Sequence, residues 1–147
     1  MKISTKGRYA LRVLVDLAEH GGEGYVSLSA ISVRQGISKK YLEQIIPLLS
    51  SSGMLVANRG AHGGYKLSRP ASRCTVSEIL RLTEGSIAPV SCLEGEYNDC
   101  DRCAECDVLY VWQGFYDMIE NYFGKITVQD IIDKKRPRKT RDDIVLL

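Results

Sequence analysis

SLSAISVRQGISKKYLEQIIPLLSSSGMLVANRGAHGGYKL, residues 27–67, sets two short helical patterns, a glycine turn and a hairpin in direct succession. Ser27 is placed to cap a helix running through Leu28, Ala30, Ile31 and Val33, because its hydroxyl can accept from a free N–H of the first turn. Gln35-Gly36-Ile37 supplies a turn, and Ser38 caps a further helix, KKYLEQIIPLLSSSG. Two short helices joined through a glycine-containing turn form a helix-turn-helix. Pro47 falls inside the second and removes one backbone donor, so a kink or loosened turn is expected there. Residues 54–57 and 65–67 are short extended pieces on either side of NRGAHGG. Glycines around Arg59 and His62 mark that segment as a hairpin tip.

Upstream, Ser4 can cap a helix from Thr5 with apolar residues at Ala10, Leu11, Leu14, Leu17 and Ala18, ending at Gly21-Gly22. Helix, helix, helix, hairpin is the order of a winged helix-turn-helix. Downstream, Thr75 caps a short helix, VSEILRLTEG, and a cysteine-rich loop follows. From Asp107 a longer helix is expected, with Val108, Trp112, Phe115, Ile119 and Tyr122 at steps of four and three. Val111 and Met118 widen that stripe, which suits a homodimer interface or intramolecular packing. Residues 126–132 form one last short helix. The fold class is mostly α with a small β-hairpin wing, carrying a long C-terminal dimerisation helix. Residues 1–85 are the DNA-binding domain, 86–107 the cysteine loop, 107–135 the dimerisation helix with its short successor, and 136–147 a charged tail.

The chain has 147 residues and a formal net charge of +2, but the charge is divided unevenly. Residues 1–69 carry ten Lys/Arg against four Asp/Glu, and residues 70–147 carry ten against fourteen. A basic first half points to a polyanion partner, here double-stranded DNA. Ser38, Lys39, Lys40 and Tyr41 open the second helix of the motif, where free N–H groups and the helix dipole suit phosphate. Glu43 and Gln44 lie a turn further on, within reach of base edges. Arg59, with His62 beside it, is placed for a minor groove, and Lys2, Thr5, Lys6 and Arg8 are further phosphate candidates. No stretch has the length of a membrane span, so a cytoplasmic protein with no membrane partner is expected.

Four of five cysteines fall between Cys92 and Cys106, spaced Cys92-x7-Cys100-x2-Cys103-x2-Cys106. Thiolates are soft ligands for iron–sulfur clusters, zinc and copper(I), and closely spaced ones in a loop can converge on one site. Glu94, Glu96, Asp99, Asp101, Glu105 and Asp107 surround them, which disfavours a nucleophilic thiol. No catalytic base stands near, so an enzyme is not expected. Spacing alone does not choose between zinc and iron–sulfur.

MKISTKGRYALRVLVDLA, SKKYLEQIIPLL, NRGAHGGYKLSRP and LRLTEGSIAPVSCLEG together resemble the IscR, NsrR and CymR group of bacterial winged-helix regulators, the Rrf-two family. The resemblance implies a homodimer on a palindromic operator and, in iron–sulfur members, three cysteines holding a 2Fe-2S or a 4Fe-4S cluster. Carried over, Cys92, Cys100 and Cys106 match those ligands. Cys103 is an addition and a candidate fourth ligand, because Leu109 stands where IscR-like members place a histidine. Arg8 stands where NsrR-like members place an acidic ligand. Ser38, Tyr41, Glu43 and Arg59 match DNA-contacting positions. The resulting expectation is an IscR-like, 2Fe-2S-dependent regulator whose cluster state switches operator affinity. A zinc-binding or CymR-like repressor of cysteine metabolism, without redox sensing, is the alternative.

Overall fold

Five helices start at a Ser or Thr whose side-chain oxygen accepts from a backbone N–H of the first turn. The caps are Ser4, Ser27, Ser38, Thr75 and Thr127. Each supplies an acceptor to one of the donors that a helix N-terminus leaves open. In the computed structural model, which describes residues 1–134, the helices are α1 (Thr5–His20), α2 (Leu28–Gln35), α3 (Lys39–Ser51), α4 (Val76–Glu84), α5 (Leu109–Gly124) and α6 (Val128–Asp133). The strands β1 (Leu55–Asn58) and β2 (Gly64–Leu67) stand between α3 and α4. The tail expected at 136–147 lies outside the described residues. Gly36 ends α2 in the left-handed conformation, with φ 62°, which an L side chain rarely adopts. That glycine makes the turn between α2 and α3. α3 stays helical through Pro47, and the Glu43 carbonyl that loses its intrahelical donor there belongs, like Pro47, to an exposed residue.

The core gathers around α1. Ala10, Val13, Leu14 and Leu17 meet Ile31 of α2, Leu42, Ile45, Ile46 and Leu49 of α3, and Met54 and Leu55 at the base of the wing. Burying a side chain of this kind contributes about 1.5–3 kcal/mol, so this cluster fixes α3 on the body. α4 faces two ways. Ile79 joins the α1 core, while Val76 and Leu80 join Ile87 and Ile119 in a second cluster beneath α5.

The wing is an antiparallel pair in the register Leu55↔Leu67, Val56↔Lys66, Ala57↔Tyr65 and Asn58↔Gly64. β1 lies one residue later than the sequence expectation at both ends, and β2 starts one residue earlier. Val26 adds a bridge to Tyr65, with N–H···O distances of 2.9 and 2.8 Å, so the segment before α2 lies along the wing. Gly64 permits this approach, since a Cβ there would overlap the Val26 carbonyl group. Gly64→Ala is expected to cost about 1–3 kcal/mol, the usual penalty for forced overlap. A denaturant melt of the variant within error of wild type would show that the Val26 strand yields freely.

α6 returns to the body. The Val76 N–H donates to the Ile126 carbonyl at 2.8 Å and the Val128 N–H to the Cys74 carbonyl at 2.9 Å. Val128 is fully buried among α1 side chains. α5 therefore leaves the body through the cysteine loop and is brought back by α6.

Candidate DNA interface and cysteine loop

Ser38, Lys39, Lys40, Glu43 and Gln44 are all exposed at the N-terminal half of α3, because Leu42, Ile45, Ile46 and Leu49 take the opposite face into the core. The Ser38 hydroxyl accepts from the Tyr41 N–H at 3.2 Å and keeps its own proton free to donate. Tyr41 is half-buried, its ring edge-on to Tyr9 at 5.3 Å between centroids. Arg12 covers the other ring, its guanidinium 5.2 Å from the Tyr9 centroid. Among the expected contacts Tyr41 thus also braces α3 against α1.

Arg59 and His62 are exposed on the wing tip. His62 borders a groove of about 390 Å³ that runs to Ser27 at the start of α2, with His20 and Arg34 on its far wall. Lys2 and Arg8 are exposed at the start of α1, with Thr5 and Lys6 half-buried, and the Arg8 guanidinium donates to the Thr5 hydroxyl at 2.9 Å. That N-terminus is tied to α4: the Ser4 hydroxyl donates to the Glu84 carboxylate at 2.7 Å.

A polar clamp missed by periodicity holds α1 to the helix-turn-helix. Asp16 is fully buried and accepts from Arg34 Nε at 2.9 Å, Arg34 Nη2 at 2.7 Å and Gln35 Nε2 at 2.9 Å. Burial pushes the Asp16 carboxyl up, but the hydrogen bonds from Arg34 and Gln35, with the charges of Arg34 and His20, outweigh it and hold the group below its ordinary value. Arg12 completes the clamp by donating to the Gln35 side chain at 3.2 Å and to the Gln35 carbonyl. Its signal in the sequence was a lone acid three residues after Val13 and next to Leu17, on the flank of an apolar stripe.

The cysteine loop contains two 3-10 turns, Ser91–Leu93 and Cys103–Glu105. Cys100 is exposed, and Cys92, Cys103 and Cys106 are half-buried; all are free thiols. Among the described residues no group of three or more His, Cys, Asp or Glu side chains is arranged to hold a metal ion. Cys92 and Cys100 border one cavity, but the thiols expected to grip an iron–sulfur cluster or zinc are not assembled into a site of three or more ligands, and in this arrangement they do not fit either group. Cys74 is fully buried, with its thiol 3.7 Å from the Pro70 carbonyl.

α5 is fastened to α4 by Glu120, which accepts from Ser77 and Arg81 at 3.1 Å each and pairs with Arg81 at 2.6 Å. Ile119 is buried and Tyr116 and Phe123 pack beside it. Val108, Val111, Trp112, Phe115, Met118 and Tyr122 stay exposed. Of the expected interface stripe, Ile119 alone faces the chain's own core.

The sequence profile of Rrf2, described as an iron-dependent transcriptional regulator, matches residues 3–134. The chain belongs to that family. It is 43% identical over 132 residues to protein rrf2 of Nitratidesulfovibrio vulgaris, covering 90% of this chain and 87% of the relative. The structure of CymR, described as the global cysteine regulator of B. subtilis, superposes with a TM-score of 0.75 at 33% identity, covering 92% of this chain and 99% of CymR. That of T. potens IscR superposes with a TM-score of 0.69 at 37% identity, covering 90% and 87%. The Rrf2-family chain is accordingly a winged-helix DNA-binding transcriptional regulator and not an enzyme. Among its described residues no helix is long and apolar enough to cross a membrane.

Proposed function

We propose that this Rrf2-family chain is a cytoplasmic homodimeric regulator that reads a twofold-symmetric operator, with the cysteine loop as the segment through which its DNA affinity is set. The observation that carries the reading is the exposed row from Ser38 to Gln44 on α3 beside the exposed Arg59 of the wing, both fixed to one core. α3 supplies base and phosphate contacts in a major groove, and Arg59 enters the adjoining minor groove. Two copies joined along α5 would read half-sites roughly 34–36 Å apart. Arg59→Ala is expected to weaken operator binding by about 1–3 kcal/mol, the range of a good specific contact. An unchanged titration would remove Arg59 from the interface.

The loop lies between α4 and α5, and α4 reaches the DNA-facing N-terminus of α1 through Glu84 and Ser4. A coupling of about 1–3 kcal/mol along that path suffices for a 5–150-fold switch. The unassembled thiols favour CymR-like control of cysteine-metabolism genes, without a resident cluster as redox sensor. The second reading is an IscR-like cluster or zinc site, supported by the spacing of Cys92, Cys100 and Cys106 and by the IscR relatives. Anaerobic purification with iron and sulfide analysis, followed by operator titration, separates the two. Colourless protein binding its operator as tightly before as after cluster reconstitution supports the first. Brown protein with stoichiometric iron and sulfide, and cluster-dependent binding, overturns it.

A further inference from the structure

The chain's two histidines, His20 and His62, are distant in sequence yet border the same groove, one at the end of α1 and the other on the wing tip. Tyr25, Ser27 and Arg34 complete its polar lining, and among the described residues no carboxylate lines it. Arg34 donates through Nε and Nη2 to Asp16, which leaves the N–H groups of Nη1 for the groove. The Ser27 hydroxyl accepts from the Ala30 N–H at 3.1 Å, so its own proton is left to donate. These walls offer donors and positive charge. They suit an anion, and Arg34 would repel a metal ion.

His20 carries the second observation. Its Nδ1 stands 2.9 Å from the Asp16 carbonyl oxygen, which can only accept, so the ring proton is held on Nδ1. Nε2, on the far edge of the neutral ring, is then a bare lone pair and repels a phosphate oxygen. A second proton turns it into a charged donor. Contact between His20 and a phosphate therefore requires protonation. His62, exposed on the tip, gains charge in the same way. Other charged or titratable groups around the two rings are Asp16 on α1, 3.7 Å from His20 Nδ1 and already paired with Arg34, and Arg59 on the tip. Tyr25 stands before α2, with the Lys66 ammonium of β2 4.8 Å from its ring centroid. Glu19 and Glu23, near His20 in sequence, are exposed and do not line the groove.

We propose that this groove seats a phosphodiester of the operator backbone, clasped between α2 and the wing once His20 and His62 are protonated. The occupant is DNA because the groove lies between the wing that carries Arg59 and the helix that precedes α3, both parts of the reading surface. A phosphate held there fixes the wing against the duplex without reading its sequence. Acidification across the range in which histidine changes charge, about pH 8 to pH 6, then tightens the grip on DNA. This contact rests on the α3 and wing reading of the operator and places it under proton control.

The test titrates the full chain with a duplex that it selects from a random library, at about pH 6 and pH 8 and over a series of salt concentrations. Wild-type affinity should be about three- to tenfold higher at the lower pH, the effect of one charge-assisted contact. The salt slope should steepen on acidification by about 0.9 for each phosphate newly neutralised. Both responses should be lost in His20→Gln/His62→Gln. Responses that survive in that variant, which keeps the terminal amine and the thiols, would overturn the groove and leave the α3 reading intact. A wild type that selects no sequence would overturn the α3 reading and the groove's occupant together. Where the variant fails to fold, the wild type decides. Its two imidazole C2–H resonances should move toward their protonated positions when duplex is added at about pH 7, and not when inorganic phosphate is added instead. Resonances that stay in place, or that follow inorganic phosphate as readily, would overturn the operator as occupant.

Discussion

Arg34→Ala is expected to lower the thermal midpoint of the chain by about 10 °C at neutral pH. Removing the guanidinium leaves the Asp16 carboxylate fully buried with only Gln35 and a more distant His20 at 3.7 Å. Breaking one side of a buried pair costs about 3–5 kcal/mol, and the lower end applies because the Arg34 side chain is 33% exposed. For a chain of this size each kcal/mol moves the midpoint by about 2–4 °C. The loss must depend on pH. In the wild type the Asp16 carboxyl is held below its ordinary 3.8, so the pair contributes fully above that value and fades as pH falls through the lower folded-state value. Without Arg34, burial dominates and raises the carboxyl, so the variant regains stability by binding a proton as the solution is acidified. The gap between the two proteins should close toward pH 4. A gap that is constant from pH 7 to pH 4 in calorimetry would mean that Arg34 acts through packing alone. Operator affinity should fall as well, because the clamp fixes the end of α2 from which α3 is launched.

That clamp also marks where the sequence stops being informative. Four helix starts were legible because Ser4, Ser27, Ser38 and Thr75 act through N–H groups only a few residues away. The α2–α3 turn was legible through Gly36 for the same reason. The docking of α6 was not, since the pairing of Thr75 with Thr127 joins residues distant in the chain and leaves no local pattern. Asp16 and Arg34 are likewise ordinary charges until the fold brings them to 2.7 Å. The cysteine loop shows the limit most plainly. Spacing states how far apart thiols can reach, but their directions depend on which residues turn in 3-10 geometry and on where Leu93 is anchored. The four cysteines therefore announced soft-ligand chemistry that their arrangement does not assemble.

The exposed face of α5 carries the other large prediction: Phe115→Asp should convert a dimer into a monomer and lower operator affinity by about two to four orders of magnitude, the gain that linking two binding units provides. Val108, Val111, Trp112, Phe115, Met118 and Tyr122 recur at helical spacing and are 39–62% exposed in the single chain. Their neighbours on the inner face, Tyr116, Ile119 and Phe123, already pack against α4, so the outer stripe has no covering element of its own among the described residues. A row of this length and aromatic content exceeds the scattered apolar residues of an ordinary surface and suits a symmetric helix pair. A carboxylate at its centre is desolvated without a partner when two copies meet, yet stays solvated in the monomer, so the fold should melt as before. Tyr110 supplies the control. It is 77% exposed on the same helix, but five residues from Phe115 and so about 140° away around the axis. Tyr110→Asp should leave sedimentation and operator binding unchanged. If Phe115→Asp also sedimented as a dimer, α5 would lose its place as the pairing element, and the half-site spacing derived from it would go too.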